Sequence, residues 1–142
     1  MLDKTAIQEL IPHRPPMLLI DEVISRDADS LVARKTYLPE EFFFQGHYPG
    51  QPIVPGVILC ETCMQAGAIL LSAFAQEENG VPVATRLNEV KFKRMVRPNE
   101  TVSIEVKLNE RLADAFFLTA KMTCEGKLCT RFEFACTLAP AG

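Results

Sequence analysis

The sequence predicts an α+β fold in which an antiparallel sheet covers one long apolar helix. Two patterns favour this fold. From Pro55 to about Gln76 the chain is apolar almost all round, which is typical of a helix enclosed by the rest of its domain. After Gly80 apolar and polar residues alternate with a period of two, as they do in strands with one buried face. The length of 142 residues suits a single domain, residues 1–142.

The first half of the chain divides into short elements followed by one long loop. The sequence predicts a helix over the first ten residues, a strand over Met17–Ser25, a turn over 27–30 and a strand over Leu31–Leu38. The segment Pro39–Pro55 is rich in proline and glycine, so it is expected to be irregular. Long irregular loops in compact domains are often functional.

The second half is expected to hold the long helix and most of the sheet. Pro55 is expected at the first position of the helix, where its missing N–H costs nothing. The pair Asn79-Gly80 is a typical helix stop and turn. The pair Glu125-Gly126, between two alternating runs, predicts a hairpin turn.

Composition narrows the function classes. The chain is 48% hydrophobic and 23% charged, and its net charge of −3 gives no reason to expect nucleic acid or an anionic membrane as a partner. The longest apolar stretch, Ala66–Ala75, is too short to span a bilayer, and the N-terminal residues do not resemble a secretory leader. We therefore expect a cytoplasmic protein without membrane insertion.

The five cysteines predict reduced thiols that serve as small buried side chains. The spacing Cys60-x-x-Cys63 could in principle hold a redox pair or half of a zinc site. There is no second pair of this kind, and the chain has only two histidines. We therefore expect neither a metal nor a redox cofactor.

The long loop and the start of the long helix bring together residues suited to acid–base chemistry. His47 lies in the Gly/Pro-rich loop, where irregular backbone can present a side chain. Gly56 and Val57 open the helix, so their N–H groups lack intrahelical acceptors and could bind an oxyanion. Glu61 is a carboxyl in an otherwise apolar stretch, which is rare without a partner or a purpose.

Each of these residues also has a plainer explanation. A histidine in a loop is more often structural or solvated than catalytic. Glu61 could extend from a less buried edge of the helix, and Gln65, one turn further on, could satisfy its hydrogen bonds. Together, however, a base, a carboxyl and an oxyanion site form a coherent catalytic set.

The segment 43–65, FFQGHYPGQPIVPGVILCETCMQ, resembles the signature of the β-hydroxyacyl-acyl carrier protein dehydratases of the FabZ type. Two further matches, Ile11–Asp21 and Val90–Pro98, extend the resemblance over nearly the whole chain. Glu61 resembles the FabZ branch, because the FabA branch has aspartate there. The chain departs from the family pattern at Tyr48, where phenylalanine is usual, and at Thr62-Cys63.

The resemblance implies the hotdog fold, a long central helix wrapped by an antiparallel sheet. It also implies an obligate homodimer, often assembled into a trimer of dimers, with each site formed by the histidine of one subunit and the glutamate of its neighbour. In that arrangement His47 removes the α-proton and Glu61 protonates the departing hydroxyl. Gly56 and Val57 hold the carbonyl oxygen, and Gln65 is expected with them among the substrate-binding residues.

The implied reaction converts (3R)-3-hydroxyacyl-acyl carrier protein to the trans-2-enoyl thioester in fatty acid biosynthesis, without a cofactor. Two alternatives remain open: a hotdog acyl-thioesterase and a non-catalytic relative that binds acyl carrier protein. The opening motif contains His13 and Arg14, which are expected to be structural and to cap the N-terminal turn.

A basic stretch near residue 90 is a candidate docking surface for the acidic acyl carrier protein. Its cations are Lys91, Lys93, Arg94 and Arg97. Alternation predicts that Lys91 and Lys93 lie outside the core, while Val90 and Phe92 face it. An ordinary solvated strand face explains the pattern equally well.

Overall fold

A computed structural model describes residues 1–140 of the chain. The helices are α1 (Lys4–Leu10), α2 (Gly56–Leu70) and α3 (Ser72–Glu77), with a short 3₁₀ helix at Phe42–Phe44. The strands are β1 (Glu22–Arg26), β2 (Ser30–Thr36), β3 (Gly80–Phe92), β4 (Thr101–Leu112), β5 (Ala115–Cys124) and β6 (Lys127–Pro140). This is the predicted α+β class.

The strands form one antiparallel sheet in the order β1-β2-β4-β5-β6-β3. Strands β5 and β6 are joined at Glu125-Gly126, where both residues have positive φ, as a tight hairpin turn requires. The predicted hairpin is therefore confirmed. The two edges of the sheet are the short β1 and the 13-residue β3.

Helix α2 lies against one face of the sheet and is buried along most of its length. At Gly67 the approach is so close that a Cβ atom would come within 2.7 Å of the ring of Phe134 on β6. The absence of a side chain at this position lets helix and sheet pack directly.

All five cysteines are buried and free, as predicted.

The long helix differs from its prediction at both ends. Pro55 precedes α2 in an extended conformation (ψ 139°) and so caps the helix rather than starting it. Helical structure continues to Glu77, but Leu71 separates α2 from α3. Asn79 then adopts a positive φ of 50°, which confirms the predicted stop.

The first strand begins at Glu22, five residues later than the predicted Met17. The reason is a side chain from α2. The amide of Gln65 donates to the carbonyl of Met17 and accepts from the N–H of Leu19, so this segment pairs with the helix instead of a strand.

Among residues 1–140, no helix is long and apolar enough to cross a bilayer.

Candidate active site

His47 is presented by a loop whose shape is fixed by positive-φ residues and backbone hydrogen bonds. Gly46 and Gly50, on either side of His47, have φ values of 77° and 92°. The Nδ1 of His47 lies 2.9 Å from the carbonyl oxygen of Ile53. Because a carbonyl oxygen only accepts, Nδ1 carries the hydrogen and Nε2 keeps its lone pair. The next residue, Val54, donates its N–H to Val96 at 2.7 Å, which ties the loop to the segment after β3.

His47 shares a pocket of about 530 Å³ with the N-terminus of α2. Gly56 and Val57 both line this pocket, so the structure brings these three predicted residues together. Neither the Gly56 nor the Val57 N–H donates a hydrogen bond within residues 1–140. Both groups sit at the positive end of the helix dipole. The pocket therefore combines a free imidazole nitrogen with two free N–H donors.

The ring of Phe92 closes one side of this pocket. A Cβ atom on Gly56 would meet its Cζ at 2.8 Å. Phe92 faces the helix side of the sheet as predicted, but it is 52% exposed rather than buried. Val90, two residues earlier, does pack against the core.

Glu61 lies further along α2 and contacts other partners. It is 29% exposed, and its Oε2 accepts a hydrogen bond from Gln65 Nε2 at 2.9 Å. The same oxygen lies 3.7 Å from Nε2 of His13. Within the described chain, Glu61 shares no hydrogen bond or ion pair with His47. The described chain thus brings the candidate base His47 together with the candidate oxyanion donors and places the candidate acid Glu61 elsewhere.

Gln65, predicted among the substrate-binding residues, bonds to other groups of the protein in the described chain. It is 1% exposed, its Nε2 donates to Met17 and Glu61, and its Oε1 accepts from Leu19. The hydrogen bond from Gln65 to the carboxyl of Glu61, which the sequence left open as an alternative, is confirmed, while a role of Gln65 in substrate binding stays a prediction.

The four cations of the basic stretch near residue 90 have different surroundings: three are exposed and one is paired with a carboxylate. Lys91, Lys93 and Arg97 are exposed, in agreement with their predicted position outside the core. Arg94 instead forms a two-point pair with Glu100, at 2.8 and 3.2 Å, and also donates to a backbone carbonyl. Arg131 on β6 lines the same surface pocket as Lys91 and Lys93, a neighbour that the sequence does not indicate.

One group of metal-ligand type occurs in the described chain, formed by Glu100, Cys124 and Glu125. It does not fit a metal site, because both carboxylate oxygens of Glu100 already accept hydrogen bonds from Arg94. Burial also raises the pKa of the Cys124 thiol, which disfavours the thiolate that binds metals.

Two contacts in the site could not be predicted from the sequence: the one between His47 and the Ile53 carbonyl, and the one between His13 and Glu61. The carbonyl of Ile53 is a backbone group and leaves no residue-type signal. His13 was expected to cap the N-terminal turn, but Arg14 alone does so, by donating to the carbonyls of Gln8, Ile11 and His13.

Tyr48 stands where the family usually has phenylalanine. Its ring lies edge-on to the ring of His47, with centroids 4.8 Å apart, and its side chain is largely exposed.

Comparisons with known proteins identify the family of the chain. A model of the FabA-like domain matches residues 11–133. The protein named 3-hydroxyacyl-[acyl-carrier-protein] dehydratase FabZ from Latilactobacillus sakei is 41% identical over 133 residues, which cover 92% of this chain and 94% of that protein. The protein of the same name from Syntrophobacter fumaroxidans is 31% identical over 141 residues, covering 99% and 96%.

Solved structures confirm the hotdog fold. The dehydratase heterocomplex ApeI:P from Xenorhabdus doucetiae superposes with a TM-score of 0.80 at 15% identity, covering 94% of this chain and 90% of that one. A hypothetical thioesterase with coenzyme A from Streptococcus pneumoniae superposes with a TM-score of 0.66 at 11% identity, covering 84% and 85%. At these identities the likeness concerns the fold alone.

Proposed function

This chain belongs to the FabA-like family, and from that premise we propose that His47 and Glu61 act as base and acid in the dehydration of 3-hydroxyacyl-[acyl-carrier-protein]. The chain is a hydro-lyase of fatty acid biosynthesis, since its FabZ relatives match it over nearly its whole length. The observation that carries the residue assignment is the bond from His47 Nδ1 to the Ile53 carbonyl, which leaves Nε2 able to accept a proton.

The reaction begins when Nε2 of His47 removes a proton from the carbon next to the thioester carbonyl. The C–H electron pair moves toward the carbonyl, and negative charge develops on its oxygen. The free N–H groups of Gly56 and Val57 lie in the same pocket and stabilise that charge by hydrogen bonding. The thioester is a sufficient electron sink, so the step needs no added cofactor.

The second half of the reaction breaks the bond between the β-carbon and its hydroxyl. Glu61 in its protonated form donates a proton to the departing oxygen, which leaves as water. The electron pair on the α-carbon forms the new double bond. His47 is then protonated and Glu61 ionised, so one proton must return from the imidazole to the carboxylate before the next turnover.

The carboxyl that completes the site is proposed to come from a second subunit. His47 and Glu61 of one chain do not meet, and strand β3 leaves a long edge unpaired in the described chain. On that edge Val83 and Leu87 are 42% and 39% exposed. Long, exposed apolar edges are templates for pairing with another chain. At the other edge, Leu2 already bonds with Val23 of β1. We therefore favour a homodimer joined through β3, the unit from which a trimer of dimers could be built.

The acyl carrier protein is proposed to dock on the exposed cations near the pocket. Lys93 lines both the pocket of His47 and the surface pocket that holds Lys91 and Arg131. A carrier bound there would hold its phosphopantetheine arm beside the catalytic loop. Arg94 is engaged with Glu100, so the docking charge is assigned to Lys91, Lys93 and Arg97, with Arg131 added.

One assay separates the three possible activities. The purified protein is incubated with 3-hydroxybutyryl and crotonyl thioesters, while enoyl absorbance and free thiol are both recorded. Reversible interconversion without thiol release is the expected result. Steady release of thiol would identify a thioesterase instead. No turnover of either thioester, with retained binding of acyl carrier protein, would identify a non-catalytic relative.

A further inference from the structure

His13 lies beside the proposed general acid. It belongs to the segment between α1 and β1, and its Nε2 is 3.7 Å from Oε2 of Glu61. Gln65 donates to the same oxygen at 2.9 Å. Oε2 is therefore held by Gln65 and faces the His13 ring, while no donor within residues 1–140 reaches Oε1. The carboxyl has one anchored oxygen and one oxygen free for chemistry.

The other ring nitrogen of His13 is an unusual feature. Nδ1 is buried and has no hydrogen-bond partner among the described residues. Buried polar atoms in folded proteins nearly always have a partner, so an unpaired nitrogen costs free energy. A side chain kept only for packing at this position would not need to be polar. The polar atom that has a nearby partner is Nε2, and that partner is Glu61.

The backbone around His13 is fixed by its neighbour. Arg14 donates to the carbonyls of Gln8 and Ile11 and, at 2.7 Å, to the carbonyl of His13 itself. The imidazole therefore approaches Glu61 from a rigid turn. Burial lowers the pKa of His13, the Glu61 carboxyl raises it, and Arg14 lowers it further. With the net direction downward, His13 is mainly neutral at pH 7 and can offer an Nε2–H without adding a charge.

We propose that His13 is a positioning residue that, with Gln65, anchors Oε2 of Glu61 and thereby directs Oε1 toward the hydroxyl of the substrate. The proposal rests on the proposed role of Glu61 as general acid. His13 itself does not exchange a proton with the substrate. Its effect is on the geometry of proton donation, which belongs to the chemical step rather than to substrate binding.

The kinetic test compares two substitutions of His13. His13→Leu removes both nitrogens at similar size, whereas His13→Gln can place an amide N–H where Nε2 lies. For His13→Leu we expect kcat to fall by up to about 10²-fold with KM changed less than about twofold, and His13→Gln should recover part of the loss. Asp3→Ala serves as the structural control, since it removes the side chain that caps α1 by accepting from the Ala6 N–H at 2.9 Å, and it should lower Tm without this kcat-specific pattern.

The spectroscopic test measures the pairing directly. Because the Glu61 carboxylate raises the pKa of His13, removing its charge in Glu61→Gln should shift the NMR titration midpoint of His13 to lower pH. This readout remains available if His13→Leu fails to fold. An unchanged midpoint would overturn the proposal, as would a folded His13→Leu with wild-type kcat while Glu61→Gln is inactive. A fully active Glu61→Gln would instead show that the acid assignment itself is wrong.

Discussion

The imidazole of His47 is oriented by a backbone group six residues further along its own loop, the carbonyl of Ile53, at 2.9 Å from Nδ1. A carbonyl cannot donate, so the hydrogen bond selects the tautomer protonated at Nδ1. The basic nitrogen is thereby directed away from the loop, into the pocket that contains the N-terminus of α2. The same hydrogen bond therefore fixes the ring to the loop and leaves Nε2 open to the pocket.

The tautomer of His47 is directly measurable. Two-bond nitrogen–proton NMR spectra near pH 8 should show His47 protonated at Nδ1, since the bond to Ile53 requires a donor there. The His13→Gln variant removes the other histidine and so assigns the signal. A population mainly protonated at Nε2 would contradict the described geometry.

Two glycines on α2 should respond differently to the same substitution. In Gly67→Ala the new methyl meets the buried ring of Phe134 at 2.7 Å, so unfolding free energy should fall by about 1–3 kcal/mol. In Gly56→Ala the new methyl meets the ring of Phe92 instead. This ring is half exposed, so it can rotate away from the methyl. Its stability should stay within about 1 kcal/mol of wild type.

The same Gly56→Ala variant should lose dehydratase activity, because the methyl and the displaced Phe92 ring alter the pocket of His47. Denaturant unfolding and turnover of a crotonyl thioester measure the two effects. Equal losses of stability in Gly67→Ala and Gly56→Ala would show that the ring of Phe92 cannot rotate away from the new methyl.

Arg94 should contribute to stability in a pH-dependent way. Hydrogen bonds from its guanidinium lower the pKa of Glu100, so this contribution is present above the ordinary carboxyl pKa of 4.5 and is lost as pH falls below it. Arg94→Gln should cost about 1 kcal/mol at pH 7, and the cost should shrink as pH falls below 4.5 and Glu100 becomes protonated. Arg26→Gln, at an exposed arginine without an ion pair among residues 1–140, is the control for the charge change. A stability difference that stays constant throughout the acid range below pH 4.5 would argue against the pair.

The docking surface can be tested by charge reversal away from the pocket. Lys91→Glu with Arg97→Glu should raise KM for a carrier-bound substrate, and added salt should weaken the wild-type interaction. Turnover of a short N-acetylcysteamine thioester should be unaffected, because that substrate lacks the charge of the carrier. Lys107→Glu, on the exposed face of β4, is the matched control. Equal losses on both substrates would assign these residues to the fold or the pocket.

The fold was largely predictable because its signals are local. Alternation with period two and an enclosed apolar helix depend on neighbouring residues, and both appear as expected. The errors lie where distant residues intervene. The strand predicted from Met17 starts later because Gln65, 48 residues away, takes its hydrogen bonds. No periodicity in residues 17–21 indicates that contact.

The site was predictable in its residue types but not in its geometry. His47, Gly56 and Val57 do meet in one pocket, as the loop and helix pattern indicated. Arg94 pairs with Glu100 because the chain turns between them, at Asn99 with a φ of 71°, and this turn brings the carboxylate next to the guanidinium. The contact of His13 with Glu61 joins segments almost fifty residues apart and needed the folded chain to appear.

The central claim, that His47 and Glu61 work as one site across two subunits, is tested most directly by subunit mixing. His47→Ala and Glu61→Gln are each expected to lower dehydration by about 10²–10⁴-fold as homodimers. After exchange at equal amounts, half of the dimers are mixed and one of their two sites holds both intact residues. Activity should then recover to about one quarter of the wild-type value. No recovery, in a mixture in which subunit exchange is verified by mass spectrometry, would contradict the account.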